Sequence, residues 1–126
     1  MDMAITDSLR QLAYAQAAAF VQTLDSRDPV ALQRDWGLSP AVADEIAEML
    51  DSYFAANEVL SLAPLAQAFG PGKGDRPAVD VYATDAGALG LECRLLADGK
   101  PGDAVLHLEM SGHDGALCLH YRYIGS

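Results

Sequence analysis

The chain has 126 residues, 51% of them hydrophobic, enough for one domain spanning 1–126 that buries roughly two-thirds of its unfolded surface. Eighteen Asp and Glu against eight Lys and Arg give a formal charge of −10; that surface repels phosphate backbones, which argues against nucleic acid as a direct ligand, and attracts cationic partners. No apolar run reaches the ~18 residues of a membrane span, and no basic stretch followed by an apolar one opens the chain, so the expectation is a cytoplasmic protein with neither leader nor membrane attachment.

Thr6 or Asp7 caps a first helix expected to run to about Leu24, with Ile5, Leu9, Leu12, Ala13, Ala17, Phe20, Val21 and Leu24 along one side. Gln16 falls inside that stripe and is expected to reach backbone where the helix crosses a neighbour. Asp28-Pro29 reads as cap and first residue of a short helix that Gly37 stops after Trp36. Trp36 would plug the gap between the second and third helices. Ser39-Pro40 repeats the device. Val42, Ile46, Met49, Leu50, Tyr53 and Phe54 then follow helical spacing, with Asp44, Glu45, Glu48 and Asp51 on the other side and Asn57 as the expected stop. From Asp35 to Gly72 the chain carries six acids and no Lys or Arg. Residues 59–69 read as a short helix capped by Ser61, with a brief strand over 58–62 as the alternative. Residues 70–77 are a Gly- and Pro-rich connector.

The remainder reads as a four-stranded antiparallel sheet, so the fold class is α+β with N-terminal helices packed on a C-terminal sheet. Residues 78–84 form the first strand; a loop of Asp85, Ala86 and a left-handed Gly87 sets Val81 against Leu91 and Val79 against Cys93, with Tyr82 covering Gly90. In residues 89–96, Leu89, Leu91, Cys93 and Leu95 alternate with Glu92 and Arg94. Residues 98–103 are read as a loop of turn formers, which pairs Arg94 with Glu109. In 104–111, Leu106, Leu108 and Met110 face inward and His107, Glu109 and Ser111 outward. In 117–124, Leu117, Leu119, Tyr121 and Tyr123 alternate with Cys118, His120, Arg122 and Ile124. A two-residue turn on Asp114-Gly115 would set Glu109 across from His120 and His107 across from Arg122; a turn one step earlier would set His107 across from His120. The first adds an opposite-charge pair when His120 is protonated. Cys93 and Cys118 fall on opposite faces and should be free thiols.

The outer sheet face mixes acid, base and imidazole in Glu92, Arg94, His107, Glu109, His120 and Arg122. A His beside a carboxylate can begin a general-base arrangement, yet no activated Ser or Cys nucleophile accompanies it, so no catalytic residue is assigned and the protein is not expected to be an enzyme. The two cysteines and three histidines lack ligand spacing, so neither metal nor cofactor is expected. The candidate partner-binding residues are therefore the carboxylates Asp44, Glu45, Glu48, Asp51, Glu92 and Glu109.

Helices followed by a curved antiparallel sheet resemble the cystatin-like or nuclear-transport-factor-like roll. The segment Leu89-Gly90-Leu91-Glu92-Cys93-Arg94-Leu95, then Asp98-Gly99 and the strand from Ala104 to Met110, resembles small acidic bacterial domains, some of which are immunity proteins of contact-dependent growth inhibition systems. The resemblance implies a protein that binds and neutralises a cognate, basic, nuclease-type toxin domain by occluding its active site. Charge supports the same expectation, because a negative surface speeds encounter with a cationic cleft. The rival is a small-ligand-binding or enzymatic roll protein with a cavity between helices and sheet, in which Gln16, Tyr121 or Tyr123 would face an open pocket. A third class, a subunit of a larger assembly, would expose a broad apolar patch, for which Leu96 and Ile124 on the outer face are a hint.

Overall fold

The computed structural model describes residues 5–70, 77–84, 87–113 and 116–126, without the side chains of His113 and Ala116. The chain is α+β: three helices, a short strand and a one-turn helix precede an antiparallel sheet. The helices are α1 (Asp7–Ser26), α2 (Pro29–Trp36), α3 (Pro40–Tyr53) and the four-residue α4 (Leu65–Ala68). The strands are β1 (Leu60–Ser61), β2 (Val79–Ala83), β3 (Leu89–Ala97), β4 (Lys100–His113) and β5 (Ala116–Gly125). β3, β4 and β5 lie side by side; β2 and β1 share the free edge of β3, β2 along its start and β1 along its end.

Local chemistry sets the helix ends as the sequence suggests. Thr6 accepts from the Leu9 N–H, Asp28 from Val30 and Ser39 from Val42, each satisfying a donor that a helix start leaves unpaired. Gly37 closes α2 in the left-handed conformation, φ 67°. α3 stops at Tyr53, four residues before Asn57, because Phe54 turns extended and its side chain enters the core. Residues 59–69 hold a strand, β1, and then a helix, α4, but Ser61 lies in β1 and does not cap the helix, which opens after Pro64 with no side-chain cap.

One face of each helix and the inner face of the sheet form one core: Phe20, Val21 and Leu24 from α1, Ile46 and Leu50 from α3, and Leu91, Leu106, Leu108 and Met110 from the sheet are all buried. Leu12 is not part of it. At 53% exposure it sits beyond the edge of the α1 stripe, whose buried line is Ala13, Ala17, Phe20, Val21 and Leu24. Gln16 does reach backbone, donating to the Leu117 carbonyl of β5 rather than to another helix. Trp36 packs edge-on against Phe20 of α1, at 5.1 Å between centroids, and its indole N–H donates to Thr23 Oγ1 at 2.9 Å, which seats α2 on α1.

The β2–β3 register is the expected one, with Val79 opposite Cys93, Val81 opposite Leu91 and Tyr82 opposite Gly90. Gly87 has φ 78°; Asp85 and Ala86 lie outside the described residues. The β3–β4 register differs. Asp98 and Gly99 both take positive φ, 51° and 80°, the signature of a two-residue hairpin turn, so β4 starts at Lys100 and residues 100–103 are strand rather than loop. A register shift between Arg94 and Leu96 then sets Arg94 opposite Val105, Glu92 opposite His107 and Gly90 opposite Glu109. Between β4 and β5, Glu109 faces His120 and Met110 faces Leu119 as expected; the turn residues Asp114 and Gly115 lie outside the described residues. Past that point a bulge at Arg122 sets His107 opposite Tyr123, not Arg122. One extra residue reverses the faces beyond it. Tyr123 stands outward at 54% exposure and Ile124 is buried, the reverse of the parity read from the sequence.

Candidate functional site

The outer face of the sheet, opposite the helices, carries the polar residues of β2, β3, β4 and β5. The registers bring them into rows. Asp80, Glu92, His107 and Tyr123 form one row across the sheet, and Gly90, Glu109 and His120 the next. His107 Nδ1 lies 3.6 Å from Glu92 Oε1, and its ring stacks on Tyr123 with centroids 4.0 Å apart and planes 14° from parallel. Arg122 Nη1 is 3.5 Å from Glu109 Oε2. Ser111 Oγ and His120 Nε2 lie 3.2 Å apart. The Arg94 guanidinium donates to the Gly102 carbonyl at 2.7 Å. Tyr82 lies across Gly90, and its hydroxyl pKa is raised first by burial and then by the carboxylates of Glu92 and Asp80.

A cleft of about 900 Å³ opens on this face. Its floor is Asp80, Glu92, Arg94, Val105 and His107, and its walls come from residues 61–64 and 77–78 with Leu96 and Pro101. Two contacts hold the first wall: the Tyr14 hydroxyl of α1 donates to the Ala63 carbonyl at 2.8 Å, and the Leu60 N–H donates to Asp25 Oδ1 at 2.8 Å. Leu96 is on the outer side, as expected, but buried beneath this wall. The interior between helices and sheet is filled. Gln16 is bonded to backbone, Tyr121 lies against Phe20 at 6.1 Å between centroids, and no polar side chain among the described residues is buried there.

The six carboxylates singled out from the sequence fall into two groups. Asp44, Glu45, Glu48 and Asp51 are exposed along α3, whose other face packs into the core on the inner side of the sheet. α3 packs beside β5; burial pushes the Tyr121 hydroxyl up to about 12, with the Glu45 carboxylate adding to the rise and a hydrogen bond with the Ile124 backbone opposing it. Glu92 and Glu109 project from the opposite face, next to His107 and Arg122. A flat partner surface cannot cover both groups. Among the described residues, none of the four α3 carboxylates has an ion-pair partner.

Sequence reasoning missed Asp80, although the Val79–Cys93 register already implied that Asp80 stands opposite Glu92. It also missed Arg27, which closes α1 at φ 57° and whose Nη2 donates to the carbonyls of Ala55 and Glu58 at 3.3 and 3.0 Å. No spacing rule points to it.

Cys93 is buried and Cys118 exposed, both free. Among the described residues no group of three or more His, Cys, Asp or Glu is placed to hold a metal ion, and no helix is long and apolar enough to cross a membrane. Comparison with family models, with curated proteins and with solved structures finds no match.

Proposed function

We propose that the protein is a cytoplasmic immunity protein of the contact-dependent growth inhibition type, which binds a cognate cationic toxin domain and occludes its active site. The observation that carries the reading is the exposed face of α3, where four carboxylates stand without a countercharge among the described residues. An uncompensated field of one sign accelerates encounter with a basic cleft, towards ~10⁸ M⁻¹s⁻¹ at low salt, and competes with the nucleic acid such a cleft holds. A standard interface would cover ~800 Å² of this side. No catalytic group, cofactor or nucleic acid contact of its own is required. A ligand-binding reading different from the expected one, with its site in the outer cleft and not between helices and sheet, is the alternative that the cleft supports.

The test is association of the full chain with the toxin domain encoded immediately upstream, followed by stopped flow across a salt series. The expected result is tight binding whose on-rate falls about tenfold or more as ionic strength rises and the Debye length shrinks from ~10 Å to ~3 Å. Replacing Asp44, Glu45, Glu48 and Asp51 with Asn or Gln should remove most of that salt dependence. Absence of binding at low salt defeats the reading, and an on-rate indifferent to the four substitutions moves the contact away from α3.

A further inference from the structure

In the outer cleft two carboxylates stand opposite each other, and among the described residues no Lys or Arg pairs with either. Asp80 and Glu92 are register partners on neighbouring strands and both line the cavity. Like charges directly opposite each other on a sheet destabilise it, and a cavity wall of low dielectric sharpens the repulsion. The cations nearby are only partly available to relieve it. Arg94 is turned to the Gly102 carbonyl. His107 is held by its stack on Tyr123 and reaches Glu92 at 3.6 Å, on the side away from Asp80. Among the described residues no Lys or Arg forms an ion pair with either carboxylate.

Beside Ser61 and Gln67, the wall carries the apolar side chains of Leu62, Pro64, Pro77 and Leu96. Such a wall suits the methylene stem of a long basic side chain, whose charged head then lies beyond it. The volume, about 900 Å³, falls within the range of ligand sites. We propose that this cleft is a subsite for one cationic nitrogen group, an ammonium or guanidinium on an aliphatic stem, seated between Asp80 and Glu92. The bound cation replaces a repulsion with two charge-assisted hydrogen bonds. The subsite lies on the opposite side of the sheet from α3, so it stands or falls separately from toxin docking there.

The test is a titration of the full, isotope-labelled chain, read by amide chemical shifts, with three probes: Nα-acetyl-arginine N-methylamide, spermidine and glutarate. Saturable shifts at Asp80, Glu92 and His107 with a cationic probe are expected. D80N/E92Q should weaken that binding at least tenfold, about 1.4 kcal/mol, while D44N/E48Q leaves it within twofold. Removing the repulsion should leave D80N/E92Q at least as resistant to heat as the parent, and D80N alone provides a second variant. A tighter acetyl-arginine complex would assign the group to a protein side chain, and a tighter spermidine complex to a free polyamine; both support the subsite. Three results would overturn it: no saturable shift with either cation, equal affinity in D80N/E92Q, or tighter binding of glutarate at the same amides, which would put the ligand's charge on Arg94.

Discussion

Gly90 and Tyr82 offer a test of the sheet register in which a single substitution changes sign with its background. A Cβ built on Gly90 would overlap the outer atoms of the Tyr82 ring, so G90A must push the ring aside. Tyr82 is 41% exposed; an aromatic side chain buries 150–250 Å² when fully covered, so roughly 100 Å² of ring surface is at stake. At about 25 cal/mol per Å² its release costs up to ~2.5 kcal/mol. Alanine is favoured over glycine within a strand by roughly 0.5–1 kcal/mol, which leaves a net loss of about 1.5–2 kcal/mol for G90A. With Tyr82 already replaced by Ala the overlap is gone, and G90A should then stabilise by roughly 0.5–1 kcal/mol. Urea unfolding of the four proteins of the cycle, with equal m-values, measures the coupling directly. A G90A cost that is the same in both backgrounds would refute the contact and, with it, the placement of Tyr82 across Gly90.

Three further outcomes follow from single residues. Burial pushes the Cys93 thiol up from its ordinary 9.0 to about 12; above pH ~9 the unfolded chain releases a proton that the folded chain keeps, so stability falls with rising pH, by as much as ~4 kcal/mol by pH ~12. The fall in urea midpoint should be shallower in C93A, and a thiol reagent at neutral pH should modify Cys118 alone until the protein unfolds. Arg27 ties the end of α1 to the approach to β1 through two carbonyls, so R27A should lose about 2 kcal/mol; R27G, which relieves a left-handed φ by roughly 1 kcal/mol, should lose less. Deleting Arg122 removes the extra residue of the β5 bulge and leaves Tyr123 opposite His107 and Ile124 opposite Leu106, so Tyr123 stays outward and Ile124 inward; the expected loss by denaturant midpoint is only about 1 kcal/mol or less, that of the exposed pair with Glu109.

The helix caps and the β2–β3 register were legible because each rests on local chemistry: Asp28-Pro29, Ser39-Pro40, and a left-handed Gly87 between two alternating runs. Beyond His120 the alternation of β5 was misleading. Tyr123 and Ile124 are both apolar enough for either face, so an inserted residue leaves no trace in the pattern. The start of β4 was hidden for the opposite reason: Lys100-Pro101-Gly102-Asp103 has turn composition, yet Asp98 and Gly99 alone make the turn. The registers carry into function, because they decide which charges are already spent. In the expected register Arg94 would have faced Glu109; in the structure Arg94 faces Val105, Glu92 faces His107 and Asp80 faces Glu92. The strands on the outer face thus pair one acid with an imidazole and leave another acid opposed to its own kind, while α3 keeps four acids with no countercharge among the described residues. Composition gave the sign of the protein's field, and the β2–β3 register together with the β3–β4 shift between Arg94 and Leu96 decides where on the sheet that field remains uncompensated.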